Sequence, residues 1–269
     1  MTLFWVRVAT SFIVGGVWLM LVSVIAERLS TRLAGIIGGL PSTLLISLFF
    51  IALGQGPDFA AKAVTVTPIA FAINSYFLLM LAVLAHKGYA KAMAVGGLGW
   101  LIAIGILLRV HLHSFELNLI LWFFGMIGLS LLVRKQLSLA NQKGGKVHFT
   151  KAQLLARSAF AGAVIAAAVV ISKYGGATLG GLATAFPAVF LTTFTILYFA
   201  RGAEFTKAVA APLTVSGGIN TVIYGMVIYY LYPRWGMYWG TLVAFAVSLL
   251  AAYFIVQPLI KSLAAKRAV

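Results

Sequence analysis

The chain has 269 residues, 62% of them hydrophobic and only 9% charged, with a mean hydropathy of +1.06. Ordinary soluble domains carry about 25% charged residues, so a soluble globular protein is excluded, and membrane β-barrels would alternate in segments of about ten residues, which is not seen. The net charge of +16 does not signal nucleic acid, because the basic residues are dealt out to loops and helix ends rather than gathered on one face.

The apolar runs predict an all-α polytopic membrane protein of about nine transmembrane helices. They lie at roughly 8–26, 33–53, 63–85, 92–110, 117–133, 152–172, 177–200, 208–231 and 237–258. The first run resembles a signal peptide in length. It lacks a basic cluster ahead of it, and Arg7 just before it has a counterpart in Arg157 within the sixth run, so it reads as a true helix.

The second run opens an internal repeat with an offset of 146 residues. Pro41 matches Pro187, Leu33 matches Leu179, Gly35 matches Gly181, Gly56 matches Gly202, Phe59 matches Phe205, Asn74 matches Asn220 and Met80 matches Met226. Asp58 and Glu204, and Ser75 and Thr221, are conservative pairs in the same register. No gap is needed between Leu33 and Met80. Repeats in a polytopic membrane protein point to transport, because two related halves can rock around a shared midplane site.

Spans one to four form the first repeat (1–110), and spans six to nine the second (152–258). The fifth span and a basic linker fill 111–151, and a basic tail follows at 259–269. A four-helix unit returns the chain to its starting side, so one linking helix inverts the second unit. On that threading fifteen of the twenty Lys and Arg residues fall on one side, against Arg7, Lys62, Arg109, Lys173 and Arg234 on the other. The richer side is expected to be cytoplasmic. The N-terminus would lie outside and the C-terminus inside, in a bacterial cytoplasmic (inner) membrane. The linker with Gly144-Gly145, and the tail with Lys266 and Arg267, would meet anionic lipid headgroups.

Within the second span Gly38-Gly39-Leu40-Pro41-Ser42-Thr43 falls near mid-bilayer, and its mate in the seventh is Thr184-Ala185-Phe186-Pro187-Ala188. Proline kinks a helix or starts a new one. If the chain unwinds before Pro41 and Pro187, two half-helix N-termini converge from opposite sides and offer free N–H groups to an anion. Ordinary kinks are the other reading. Asn74-Ser75 and Asn220-Thr221 lie deep in spans three and eight, where Asn needs a partner. They either coordinate a solute or bond carbonyls freed by the two prolines. Thr192, Thr193 and Thr195 follow Pro187, with Ser47 at the place of Thr193, and are weaker pointers because helical Thr bonds its own backbone. Gly35/Gly39 and Gly176/Gly180 have the spacing of close helix packing.

No carboxylate is expected inside the membrane. Glu27, Asp58, Glu116 and Glu204 all fall at span ends or loops, with Asp58 and Glu204 read as turn or capping residues. His86, His111, His113 and His148 lie near membrane ends, and His111-x-His113 with Glu116 is a weak metal pattern. With no cysteine, thiolate metal sites and disulfides are excluded. No HExxH or GxSxG occurs and no buried general base is evident, so the chain reads as a non-enzyme without cofactor.

Thr178 to Pro187 with Ala203-Glu204-Phe205 and Asn220, and the matching stretch Gly38 to Thr43, resemble the small four-helix GlpM-type membrane proteins. The resemblance implies two such units fused through a linking helix, and it carries over no substrate.

The expected function is a secondary transporter of a small anionic solute. Its site would be formed by Gly39, Pro41, Ser42, Thr43, Asn74, Pro187, Asn220 and Thr221. The alternatives are a passive channel lined by the same residues, or a non-transporting scaffold for envelope lipid or polysaccharide assembly. Expected partners are the solute, membrane lipids, and a second copy or an envelope protein.

Overall fold

Long apolar helices make up the computed structural model, which describes residues 2–29, 37–110, 112, 114–136 and 149–265. Among the described residues all regular structure is helical. The helices are α1 (Thr2–Glu27), α2 (Ser42–Gln55), α3 (Pro57–Val64), α4 (Thr67–Leu84), α5 (Tyr89–Val110), α6 (Phe115–Gln136), α7 (Lys151–Thr184), α8 (Ala188–Ala251) and α9 (Gln257–Ala265). Among the described residues five stretches are long and apolar enough to cross a membrane: Thr2–Glu27, Thr67–Lys87, Tyr89–Val110, Phe115–Arg134 and the interrupted Lys151–Leu263. Their outward faces carry large apolar side chains, such as Leu3, Ile13, Leu21, Leu101, Phe124 and Phe254. Water would not tolerate so continuous an apolar surface, whereas lipid does. The chain is an all-α membrane protein.

Glycines divide the long helices. The backbone leaves the helical region at Gly176, Gly202 and Gly236, each with positive φ, so α7 splits into 151–175 and 177–184 and α8 into 188–201, 203–235 and 237–251. In the first half Gly56 takes the same turn between α2 and α3, with φ 94° against 80° at Gly202. A side chain at that φ costs about 1–2 kcal/mol. Glycine at both members of this repeated pair therefore sets where each half-helix stops. Asp58 and Glu204 follow two residues later, exposed, in the first turn of the next helix, where a negative charge is favoured.

The two halves are joined most extensively by α1 against α7. A Cβ at Gly162 would lie 2.5 Å from the Phe12 carbonyl oxygen, and one at Gly16 would lie 3.2 Å from that of Ser158. Bare backbone is therefore required on both helices. The pair is antiparallel along its whole length: Phe4 meets Tyr174 edge-on at 6.1 Å at one end, and the Glu27 carboxylate accepts from the Phe149 N–H at the other. Helix α4 is the most enclosed of the spans and packs against α5, α6 and α8. The two largest apolar cores among the described residues lie around Leu44, Leu48, Ile51 and Tyr224, and around Phe77, Leu81, Leu129 and Phe194.

Several expectations shift. The predicted span 63–85 is two helices, α3 and α4, separated at Thr65–Val66. Span two is described from residue 37, and its helix after Pro41, α2, is only 14 residues or about 21 Å long. The last helix runs on to Ala265 through a π-helical turn at Ala252–Val256. Gly176 is not a packing glycine: it is a turn with open space around it, while Gly180 does pack closely, on Ser172. Leu33, Gly35, His111, His113, His148, the linker with Gly144-Gly145, Lys266 and Arg267 lie outside the described residues. Among the described residues no group of three His, Asp or Glu side chains could hold a metal.

Candidate functional site

The two prolines that the 146-residue offset pairs also share their backbone geometry. Pro41 has φ −74° and ψ 45°, and Pro187 has φ −77° and ψ 45°. Around each proline the same three hydrogen bonds form. Leu40 N–H donates to the Ile37 carbonyl at 3.1 Å and Phe186 N–H to Ala183 at 3.2 Å. Ser42 N–H donates to Leu40 at 2.7 Å and Ala188 N–H to Phe186 at 2.8 Å, an inverse γ-turn centred on each proline. Leu45 N–H then donates to Pro41 at 2.7 Å and Leu191 N–H to Pro187 at 2.9 Å, closing the first turn of a new helix.

Each proline is thus the residue immediately before a helix, and neither helix start has a side-chain cap. The early N–H groups at Thr43 and Leu44, and at Val189 and Phe190, have no carbonyl one turn back to bond. Their dipoles give each start a partial positive charge.

Both starts border one cavity of about 30 Å³. Gly38, Gly39, Pro41, Thr43 and Asn74 line it from the first half, and Pro187, Phe190, Gly217 and Thr221 from the second. That volume holds about two waters. Among the described residues no charged side chain lines it. Gly39 is obligatory for the closeness of the halves: a Cβ there would overlap Ser216 Oγ and lie 2.6 Å from the Gly217 nitrogen.

The two asparagines occupy equivalent places and are bonded differently. Asn74 is buried in α4. Its Nδ2 donates to the Ala185 carbonyl, in the unwound segment before Pro187, and its Oδ1 accepts from Trp100 Nε1 at 2.8 Å. The first half thereby holds the broken helix of the second. Asn220 is equally buried, but among the described residues its Nδ2 has only a 3.5 Å contact to Ser216 Oγ and its Oδ1 has no partner. Where Trp100 fills the Asn74 oxygen, the corresponding last helix of the second half offers Ser248, whose Oγ donates instead to the Asn220 backbone carbonyl at 3.3 Å.

Of the eight residues singled out from sequence, Gly39, Pro41, Thr43, Asn74, Pro187 and Thr221 line the cavity. Ser42 and Asn220 are buried beside it without lining it. The Thr221 hydroxyl is committed to its own backbone at Gly217, 2.6 Å away. Thr192 likewise bonds Ala188, but Thr193 accepts from the buried Arg157 guanidinium at 2.6 Å, and Thr195 pairs with the Tyr89 hydroxyl at 3.0 Å. Arg157 also lies 5.3 Å from the Phe149 ring centre. Sequence reading missed Trp100, whose single indole donor was a signal only once Asn74 was known to face it. Comparison with known proteins adds no assignment: the chain matches no protein-family model, no curated protein and no solved structure.

Proposed function

We propose that the protein is a membrane transporter for a small anionic solute, and that the cavity between Pro41 and Pro187 is its midplane site in a closed state. The observation that carries the reading is the convergence of two uncapped helix starts, with matching φ and ψ, on one cavity lined by Asn74 and Thr221. Such a site presents backbone donors and partial positive charge with no carboxylate to repel an anion. At about 30 Å³ the cavity admits only a small ion or a pair of waters. A larger solute requires the halves to part.

The supporting architecture is nine spans, as two inverted four-helix repeats joined by α6. Antiparallel α1 and α7 favour four crossings between them, because three would make them parallel. The matched turns at Gly56 and Gly202, and the matched prolines, support two copies of one unit, in keeping with the resemblance to fused GlpM-type proteins. The excess of Lys and Arg on one side supports a cytoplasmic C-terminus in a bacterial inner membrane.

A packed scaffold is the second reading, and the small size of the cavity favours it. The chain lacks cysteine, so a single Cys at Thr43 can be challenged with a charged, membrane-impermeant thiol reagent from either face. Labelling from one face that shifts to the other in the presence of an anion, together with anion-driven currents in proteoliposomes, is the expected result. No labelling from either face and no current across a halide, nitrate, phosphate and carboxylate panel would refute transport and leave the scaffold.

A further inference from the structure

A second cavity lies at the end of α1 that meets Tyr174, and it is cationic. Its volume is about 130 Å³, and it is lined by Phe4, Arg7, Phe50, Gly54, Gln55, Val169 and Lys173. It shares no lining residue with the midplane cavity.

Four features set this recess apart from a scatter of surface basic residues. Arg7 comes from α1 and Lys173 from α7, so both halves contribute a cation to one space. Among the described residues no Asp or Glu lines it and neither cation has an ion-pair partner, although Asp58 is only three positions from Gln55. The Lys173 ammonium rests 3.8 Å from the centre of the Phe4 ring, which fixes its position while leaving N–H donors free. The Gln55 amide is held by its bond to Ser172 Oγ at 2.8 Å, with a second Nε2 proton still to give. Two like charges facing one recess repel each other, and an anion between them converts that repulsion into two charge-assisted hydrogen bonds.

We infer that this recess binds an oxyanion of the phosphate class, held by the Arg7 guanidinium, the Lys173 ammonium and the Gln55 amide. The forked Arg donors suit two oxygens of one phosphate group, and the Lys adds a point charge from the opposite helix. The anion can come from a phospholipid headgroup at the membrane surface or from free phosphate in solution. The chemistry is the same, and the inference stands without the transport reading.

The test uses the purified full chain in two arms. In the first, inorganic phosphate is titrated at constant ionic strength into protein in zwitterionic nanodiscs, with heat of binding as readout. In the second, phosphatidylglycerol is mixed into the phosphatidylcholine of the discs, and lipid retained on the released protein is counted by native mass spectrometry. Wild type is expected to bind in at least one arm. Phosphate binding identifies a soluble anion, and retention of phosphatidylglycerol alone identifies a headgroup. In the arm that responds, Arg7→Gln and Lys173→Gln should each weaken binding at least about tenfold, Arg7→Lys should restore part of it, and Gly105→Ala, at an open position on α5, should leave it unchanged. Lys173 is exposed, so its variant remains informative if Arg7→Gln fails to fold. Wild type that binds neither probe, or binding insensitive to both Gln variants, would overturn the proposal.

Discussion

Replacing Asn74 by leucine and, separately, Asn220 by leucine separates two residues that the repeat makes equivalent. Asn74→Leu leaves two groups unmet, the buried Ala185 carbonyl and the half-buried Trp100 indole N–H. A buried polar group stripped of its partner costs about 1–3 kcal/mol in soluble proteins, while hydrogen bonds between membrane helices average about 0.6 kcal/mol. Two such losses bracket the penalty at about 1–6 kcal/mol. Asn220→Leu removes one contact of 3.5 Å and an oxygen that has no partner to lose. Its cost should be under about 0.5 kcal/mol, or a small gain, since an unmet buried acceptor is exchanged for an apolar group of similar shape. Heat-induced unfolding in detergent, followed by tryptophan fluorescence and by loss of the monodisperse peak in gel filtration, reads the difference. Equal losses in the two variants would refute the claim that the observed bonding, rather than burial alone, decides their contribution. The same pair also bears on transport. If the free Asn220 oxygen serves the conducting cycle, Asn220→Leu abolishes flux in a protein that melts like wild type.

Three further outcomes follow from packing and backbone geometry. Thr193→Val strips the buried Arg157 guanidinium of its 2.6 Å acceptor and should destabilise by about 1.5–3 kcal/mol, whereas the double variant Arg157→Met with Thr193→Val recovers most of that loss, as a double-mutant unfolding cycle would register. Gly181→Ala drives a methyl into the Ala63 carbonyl and should prevent accumulation of folded protein, while Gly105→Ala, with nothing within 4 Å, leaves yield and melting temperature unchanged. Gly202→Ala and Gly56→Ala should each cost about 1–2 kcal/mol in the same unfolding assay, through backbone conformation alone, because no atom stands in the way of the added methyl.

What could be read from the letters was the part that chemistry marks with rare residues. Proline lacks a donor and fixes φ, so Pro41 and Pro187 announced a break in any helical context, and the shared offset announced that the two breaks match. Asn is costly in hydrocarbon, so Asn74 announced a partner, and a carbonyl released by a proline was the partner found. The facing of the spans was not legible. In a soluble bundle the polar stripe reveals the outward face, but lipid and core are both apolar, so α1 and α6 carry no such stripe. The contact of α1 with α7, and hence the recess between Arg7 and Lys173, depends on which face of each helix turns inward. Glycines at 15, 16 and 162 were the only trace of it, and the sequence holds 27 glycines. The asymmetry between Asn74 and Asn220 was hidden for another reason. It is set by Trp100 and Ser248, which lie outside the ungapped stretch where the repeat is evident.

The bare-backbone seam between α1 and α7 also dictates an order of events during synthesis. Phe12 and Gly162 touch across it, so the first helix enters the bilayer long before its partner exists. At about 5–20 residues per second the intervening stretch takes on the order of ten seconds or more to emerge from the ribosome. Throughout that interval the glycine face of α1 must be covered by lipid, by the insertion machinery or by another chain. A nascent chain arrested before α7 should therefore crosslink through that face to whatever shelters it, and release as soon as α7 is made.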